Sequence, residues 1–187
     1  MNKIIALVLL LTIGFISCKP SEKEIDRVEI AKTYYKVINN SDYYKLSEWF
    51  ADSLQTIEGE HKNTYSKSEY MELLKWDSVF KPHYKILNIE EKDGIVNAKT
   101  SKTNKRIIFL HEKPFIINQI FRFKKEKIIS IETEYVNFDY PTWEKNKNEL
   151  LSWIDKNHPE LNGFLTDLTE VGGVNFLKAI ALYKSKK

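Results

Sequence analysis

Apolar and polar residues alternate over residues 116–136, and this alternation predicts a β-hairpin. Successive side chains of a strand point to opposite faces. The odd-numbered side chains of the two arms therefore lie on the same face only if odd-numbered residues pair with odd-numbered residues, so that the numbers of each pair sum to an even value. The pattern therefore predicts a loop of three or five residues centred on Glu126. The predicted apolar wall, with Gln119 as the one amide, comprises Ile117, Gln119, Phe121, Phe123, Ile129, Ile131, Thr133 and Tyr135.

Residues before this hairpin show mainly helical spacing. Apolar positions three and four apart predict a first helix over residues 25–38, and Ser41 can cap a second short helix that ends at Phe50. Residues 54–65 have no helical period and predict a short strand or an irregular segment. Ser66, with a glutamate three residues later, forms a capping-box pattern that predicts a third helix over residues 67–80.

The middle of the chain is rich in residues that favour strands. The pattern predicts strands over residues 84–89 and 95–98, joined by a turn at residues 92–94, and a further strand over residues 106–111.

After residue 140 the spacing becomes helical again, with one amphipathic helix, a short second helix starting at Pro159, and a last helix after an interruption at Gly172 and Gly173. We expect this helical extension, residues 139–187, to pack on the sheet or to cover an opening.

The N-terminus reads as an export signal. An apolar run follows Lys3, and the residues FISC that end at Cys18 resemble the lipobox of bacterial lipoproteins. The resemblance implies a signal peptide over residues 1–17, a lipidated Cys18 with a tether over residues 18–24, and attachment to a membrane of the bacterial cell envelope, outside the cytoplasm. An uncleaved anchor, or a plain signal cut nearby with a free Cys18, remain alternatives.

Composition excludes several partners and cofactors. Cys18 is the single cysteine, so the chain cannot form an internal disulfide bond or a cysteine-based metal site. Removal of residues 1–17 takes away Lys3 and no acid, which leaves a net charge of +2 and predicts no binding of nucleic acid. The four histidines show no spacing typical of a metal site, and no nucleotide-binding or serine-hydrolase motif occurs. We therefore predict no cofactor and no metal.

Three short motifs follow one another in an informative order. Residues 34–42, YYKVINNSD, are followed by WFAD at residues 49–52, and by FRF with KIISI across the predicted hairpin. Together they resemble the first helix, the end of the second helix and the final hairpin of the nuclear-transport-factor-2-like, or SnoaL-like, superfamily. For residues 25–138, the resemblance implies an α+β cone in which three N-terminal helices cover a curved, mostly antiparallel sheet around a pocket.

Alignment with the ketosteroid isomerases of that superfamily implies catalytic candidates. It places the oxyanion tyrosine at Tyr34, the general base at Glu58, and the oxyanion carboxylic acid at Gln119. Gln119 carries an amide, which is a poorer hydrogen-bond donor to an enolate than a carboxylic acid is. The alternatives are a tyrosine at the edge of the core, an exposed turn acid and a buried amide bonded to backbone. The residues predicted to bind a ligand are Tyr34, Asp52, Glu58, Gln119, Phe121 and Tyr135.

Three functions follow as hypotheses. The first is a membrane-anchored lipoprotein whose cone binds a small apolar or amphipathic ligand without catalysis. The second is an isomerase or dehydratase that uses Glu58 as base and Tyr34 with Gln119 as oxyanion donors. The third is a module for envelope assembly or protein interaction. Its expected partners include a second copy of this chain, with which it would form a homodimer.

Overall fold

The structure is a computed structural model that describes residues 26–186. The predicted signal peptide and the predicted lipidation site at Cys18, with its tether, lie outside the described residues. The helices are α1 (Arg27–Asn39), α2 (Lys67–Val79), α3 (Lys105–Leu110), α4 (Tyr140–Asn157) and α5 (Glu170–Lys184), with 3₁₀ turns at Tyr43–Glu48 and Pro159–Leu161. The strands are β1 (Phe50–Glu58), β2 (His61–Ser66), β3 (His83–Lys92), β4 (Ile95–Thr103), β5 (Phe115–Lys124) and β6 (Lys127–Tyr135).

The six strands form one open mixed sheet in the order β2-β1-β6-β5-β4-β3. Only the β1–β6 pair is parallel among the described strands. Register shifts occur in three strand pairs, and such bulges increase the twist of a sheet and bend it. Helices α1 and α2 pack against the inner face, which confirms the predicted cone-shaped α+β fold.

The final hairpin has the predicted register and a different turn. Ile117 pairs with Tyr135 and Phe121 with Ile131, so the paired numbers sum to an even value as expected. A bulge then shifts the register, and the strands are joined by a two-residue turn at Lys125 and Glu126 rather than by three or five residues. Because of this bulge, Ile128 replaces Ile129 in the buried row.

Several predicted elements differ in type. The second N-terminal helix is a 3₁₀ turn, Tyr43–Glu48, which Ser41 does not cap. Residues 54–65, for which a short strand was one of the two predictions, belong to the β1–β2 hairpin. The strand predicted over residues 106–111 is α3 instead. The Asn104 side chain accepts a hydrogen bond of 2.7 Å from the backbone N–H of Ile107, and this cap favours a helix. The third helix begins at the predicted capping box.

The C-terminal helices pack against α2 and α3 around a second buried cluster that includes Phe80, Phe176 and Ile180. Leu73 and Trp143 contact this cluster and the core beneath the sheet, so the two cores adjoin. The predicted interruption at residues 172–173 is wrong, because both glycines lie inside α5. A Cβ on Gly173 would lie 3.2 Å from the backbone oxygen of Trp76, so glycine permits the close contact between α5 and α2.

Candidate functional site

A cavity of about 830 Å³ lies between the inner face of the sheet and helices α1 and α2. This volume falls within the range of about 300–1,000 Å³ that is typical of small-molecule sites. The helices supply Tyr34, Leu73 and Leu74, while the sheet supplies Ile117 and Ile131. Most of this lining is apolar, so the interior suits an apolar molecule.

Tyr34, Tyr70 and Gln119 line the buried part of the cavity and belong to a set of hydrogen-bonded side chains. The hydroxyl groups of Tyr34 and Tyr70 lie 3.2 Å apart. The Tyr35 hydroxyl donates a hydrogen bond of 2.9 Å to the side-chain oxygen of Gln119, whose amide nitrogen donates to the Thr133 hydroxyl at 3.1 Å. These bonds fix the orientation of the Gln119 amide and leave one of its two amide hydrogens unused.

The buried tyrosines act as neutral hydrogen-bonding groups. Burial raises the pKa of Tyr34, Tyr70 and Tyr84 well above the ordinary value of 10.0, because a phenolate would lose its hydration there. Neighbouring tyrosines and the negative charge of Asp77 contribute in the same direction. All three phenols therefore keep their protons at neutral pH.

An ion pair between Asp77 of α2 and Lys102 of β4 lies on one wall. Their charged atoms are 3.0 Å apart, and 13% and 17% of the two side chains are exposed. The Asn104 amide donates a longer hydrogen bond of 3.3 Å to Asp77. The Lys102 ammonium also lies 5.1 Å from the centre of the Tyr84 ring. The pair thus places two charges of opposite sign, which offset each other, in this wall.

Arg106 brings a second cation to the same wall from the start of α3. Its guanidinium carbon lies 4.8 Å from the centre of the Trp76 ring and 5.6 Å from that of Trp143. Burial lowers the pKa of Arg106, and the charges of Asp77 and other groups oppose this effect. An arginine side chain keeps its positive charge under such conditions.

The mouth of the cavity is formed by exposed residues from two parts of the chain. Glu58 and Tyr135 come from the edge of the inner face, and the Tyr135 hydroxyl donates a long hydrogen bond of 3.4 Å to the Glu58 carboxylate. Loss of hydration by the phenolate and the charge of Glu58 raise the pKa of Tyr135 to about 12. Phe138 and Leu168 lie on the C-terminal side of the mouth. The helical extension therefore borders the opening.

Solved structures from several bacteria have the same architecture. An NTF2-like protein of unknown function from Cytophaga hutchinsonii is 10% identical and superimposes with a TM-score of 0.50 over 61% of this chain and 93% of its own. A putative ketosteroid isomerase from Kribbella flavida is 6% identical, with a TM-score of 0.51 over 60% and 79%. The chain has the nuclear-transport-factor-2-like fold. An LEH-like epoxide hydrolase from M. tuberculosis is 13% identical, with a TM-score of 0.51 over 64% and 87%. No family model and no curated protein sequence matches the chain.

The nuclear-transport-factor-2-like fold brings four of the predicted ligand-binding residues to one cavity. Tyr34 and Gln119 line its deep part, while Glu58 and Tyr135 lie at its mouth. The four residues come from α1, β5, β1 and β6, which are far apart in the sequence and adjacent in the fold.

Two predicted residues lie elsewhere in this fold. Asp52 has a fully exposed side chain that lies 3.6 Å from the Lys67 ammonium, because its position on β1 faces solvent. Phe121 is fully buried behind the cavity wall, where its ring packs edge-on against Tyr34 and Tyr35. Of the residues predicted to bind a ligand, Asp52 and Phe121 therefore lie outside the lining of this cavity.

The charged wall formed by Asp77, Lys102 and Arg106 was not predicted from the sequence. Alternation along β4 could have indicated Lys102. Val96, Ala98 and Thr100 form the buried row of this strand, and Lys102 is the next residue of the same row. Arg106 gave no such signal, since its segment was predicted to be a strand.

Residues 26–186 contain no group of three or more His, Cys, Asp or Glu side chains that could hold a metal ion. In the same part of the chain, no helix has both the length and the apolar character needed to cross a bilayer.

Proposed function

We propose that this chain binds a small amphipathic molecule in the cavity without catalysing its conversion. The cavity itself carries the proposal, because about 830 Å³ remains between the helices and the sheet despite the many large side chains around it. Structural neighbours with this fold include proteins described as an isomerase and an epoxide hydrolase, so a site for small molecules at this position is consistent with them.

The arrangement of the polar groups favours binding over catalysis. A general base that removes a proton from carbon works best where water is excluded, but Glu58 lies at the exposed mouth. The Tyr34 hydroxyl already contacts Tyr70, and Gln119 is bonded to Tyr35 and Thr133. These contacts stabilise the deep end of the cavity and leave few hydrogen-bond donors for a developing negative charge.

An isomerase or dehydratase is the second candidate. The observation that favours it is that Tyr34, Glu58 and Gln119 all line one cavity. The test is proton exchange at the carbon beside the carbonyl of a steroid ketone in deuterated water. An enzyme of this type would incorporate deuterium, and Glu58→Gln would abolish the incorporation. If the intact chain incorporates none above buffer, this candidate is excluded for that class of substrate.

Attachment to a membrane through lipidated Cys18 is part of the proposal. In cells fed labelled palmitate, the label should enter the full chain and should be absent from the Cys18→Ser variant. Equal labelling of both chains would place the lipid elsewhere, and no labelling of the intact chain would remove the anchor from the account.

Cavity filling tests the binding proposal. The neutral dye N-phenyl-1-naphthylamine fluoresces strongly in apolar surroundings, and we expect the full chain to saturate with one dye molecule. Leu73 lines the cavity, so Leu73→Trp should fill part of it and weaken the saturable binding of the dye. Leu87, which is 47% exposed on β3, provides the matched control, and Leu87→Trp should bind the dye normally.

Equal saturation of Leu73→Trp and the unmodified chain would show that the dye binds elsewhere. The absence of any saturable binding by the unmodified chain would contradict the proposal.

A further inference from the structure

Arg106 has no anionic partner among the described residues. Its guanidinium contacts the ring faces of Trp76, Phe80 and Trp143, and no described carboxylate lies within ion-pair distance of it. Less than 1 Å² of its Nε atom is exposed, and that atom has no hydrogen-bond partner in the described part of the chain. A buried cation without a partner is unfavourable, so a ligand that supplies one would be bound strongly.

A second unused donor lies beside it. The indole nitrogen of Trp76 is also buried and has no partner among residues 26–186. The Trp76 ring is in contact with the Arg106 guanidinium, and both side chains line the cavity. Two unpaired N–H donors, one of them on a positively charged group, therefore lie together just beneath the surface of one wall, because neither atom is accessible to water.

The other charges near the cavity already have partners. Lys102 is paired with Asp77 at 3.0 Å, so these two charges offset each other. Glu58 lies at the exposed mouth, where water screens its charge and Tyr135 hydrogen-bonds it. Among the described residues of this partly buried wall, Arg106 is the charge that is left without a partner.

We propose that the cavity selects a ligand with a single carboxylate, which the terminal nitrogens of the Arg106 guanidinium bind while the apolar part of the ligand packs against Leu73, Leu74 and Ile131. This inference rests on the proposed function, because it specifies the class of molecule that the cavity takes. A planar guanidinium donates two parallel hydrogen bonds to a carboxylate, and such charged bonds are stronger than neutral ones. One unpaired cation matches one negative charge, which favours a carboxylate over a phosphate group with its second charge.

The test compares two ligands that differ in charge and have the same shape. Octanoate and octanamide are titrated separately into the full chain, and binding is measured by the change in tryptophan fluorescence. A charge-assisted hydrogen bond favours the acid by at least about tenfold in dissociation constant. Octyl phosphate serves as a third ligand and should bind more weakly than octanoate.

Three variants assign the preference to one residue. Arg106→Gln removes the charge, and we expect the acid and the amide then to bind within about twofold of each other. Arg106→Lys keeps the charge and should retain part of the preference. Arg122→Gln is the matched control, because Arg122 is paired with Glu132 on the outer face of the sheet. It should leave both dissociation constants unchanged.

The outcomes separate this inference from the proposed function. If the unmodified chain binds octanoate and octanamide equally, the cavity still binds ligands but Arg106 does not select a carboxylate. If neither ligand binds and the dye does not bind either, the proposed function itself is contradicted. A preference that persists in Arg106→Gln, or stronger binding of octyl phosphate, would also overturn the inference. If Arg106→Gln does not fold, Arg106→Lys takes its place, and a preference for the acid that is as large in Arg106→Lys as in the unmodified chain would overturn the inference.

Discussion

Lys102→Met removes the positive member of the ion pair in the cavity wall, and we expect it to lower the free energy of unfolding by about 1–3 kcal/mol. At 3.0 Å, the Asp77–Lys102 attraction is about 5–6 kcal/mol for an effective dielectric constant of about 20. Loss of hydration offsets most of that attraction, since the two side chains are 13% and 17% exposed. After Lys102→Met, Asp77 retains the 3.3 Å hydrogen bond from Asn104 and loses its counter-charge.

Urea unfolding of four chains measures the pair directly. The chains are the unmodified protein, Lys102→Met, Asp77→Asn, and the double variant, followed by tryptophan fluorescence. We expect the double variant to lose less stability than the sum of the single variants, with a coupling energy of about 1–2 kcal/mol. This result would mean that most of the cost of Lys102→Met comes from leaving a partly buried carboxylate without its partner.

The Arg122–Glu132 pair provides a matched control at almost the same distance. Its charged atoms lie 2.9 Å apart, but 41% and 38% of its side chains are exposed, so the corresponding coupling should be about 0.2–1 kcal/mol. If the effects of Lys102→Met and Asp77→Asn are additive within about 0.5 kcal/mol, the ion pair does not stabilise this wall and the reasoning is refuted.

Three further measurements test the packing, the amide network and the helix cap. Replacing glycine by alanine within a helix usually stabilises the helix by about 1 kcal/mol. Gly172→Ala should instead destabilise the chain in urea unfolding, because the added Cβ would lie 2.1 Å from the backbone oxygen of Asp167. Tyr35→Phe should cost about 1–3 kcal/mol, since the buried oxygen of Gln119 would lose its 2.9 Å donor; a loss below about 0.5 kcal/mol would argue against that bond. Hydrogen bonds in the capping box of α2 lower the pKa of the Glu69 carboxyl below its ordinary value of 4.5. The ionised carboxylate therefore stabilises the fold fully above pH 4.5. This stabilisation is lost as the pH falls through the lowered pKa. Glu69→Gln should therefore flatten this part of the stability profile, and an unchanged profile would contradict the assignment.

The register of the final hairpin was predictable from sequence because one face had to be apolar. The even sum of paired numbers follows directly from the odd-numbered rows, and the pairs Ile117–Tyr135 and Phe121–Ile131 confirm it. The bulge was not predictable, because Ile128 and Ile129 are equally apolar and either one could occupy the buried row.

The charged wall depends on contacts that no local pattern encodes. Asp77 lies on a helix, Lys102 on a strand, and Arg106 on a short helix that the sequence pattern assigned to a strand. A continuous apolar run such as residues 107–110 fits both a buried strand and a buried helix, and the deciding contact was the Asn104 cap. The catalytic candidates were predicted from the resemblance to the ketosteroid isomerases. That resemblance pointed to residues of the cavity but gave no indication of Arg106.

The C-terminal extension contributes to the cavity more directly than its sequence indicated. Trp143 of α4 contacts Arg106, and Leu168 borders the mouth. Through α5, the extension also packs against α2, which carries Trp76 and Asp77. These contacts mean that the helical segment after the sheet holds one wall of the site in place.

The most direct test of the central claim is mass spectrometry of the small molecules released from the full chain after purification from its own membranes. We predict about one molecule per chain of a single class, with an apolar body and one carboxylate, and a large decrease in the Leu73→Trp variant but not in Leu87→Trp. Equal amounts of the same molecules in all three preparations, or no molecule in the unmodified chain, would contradict the account.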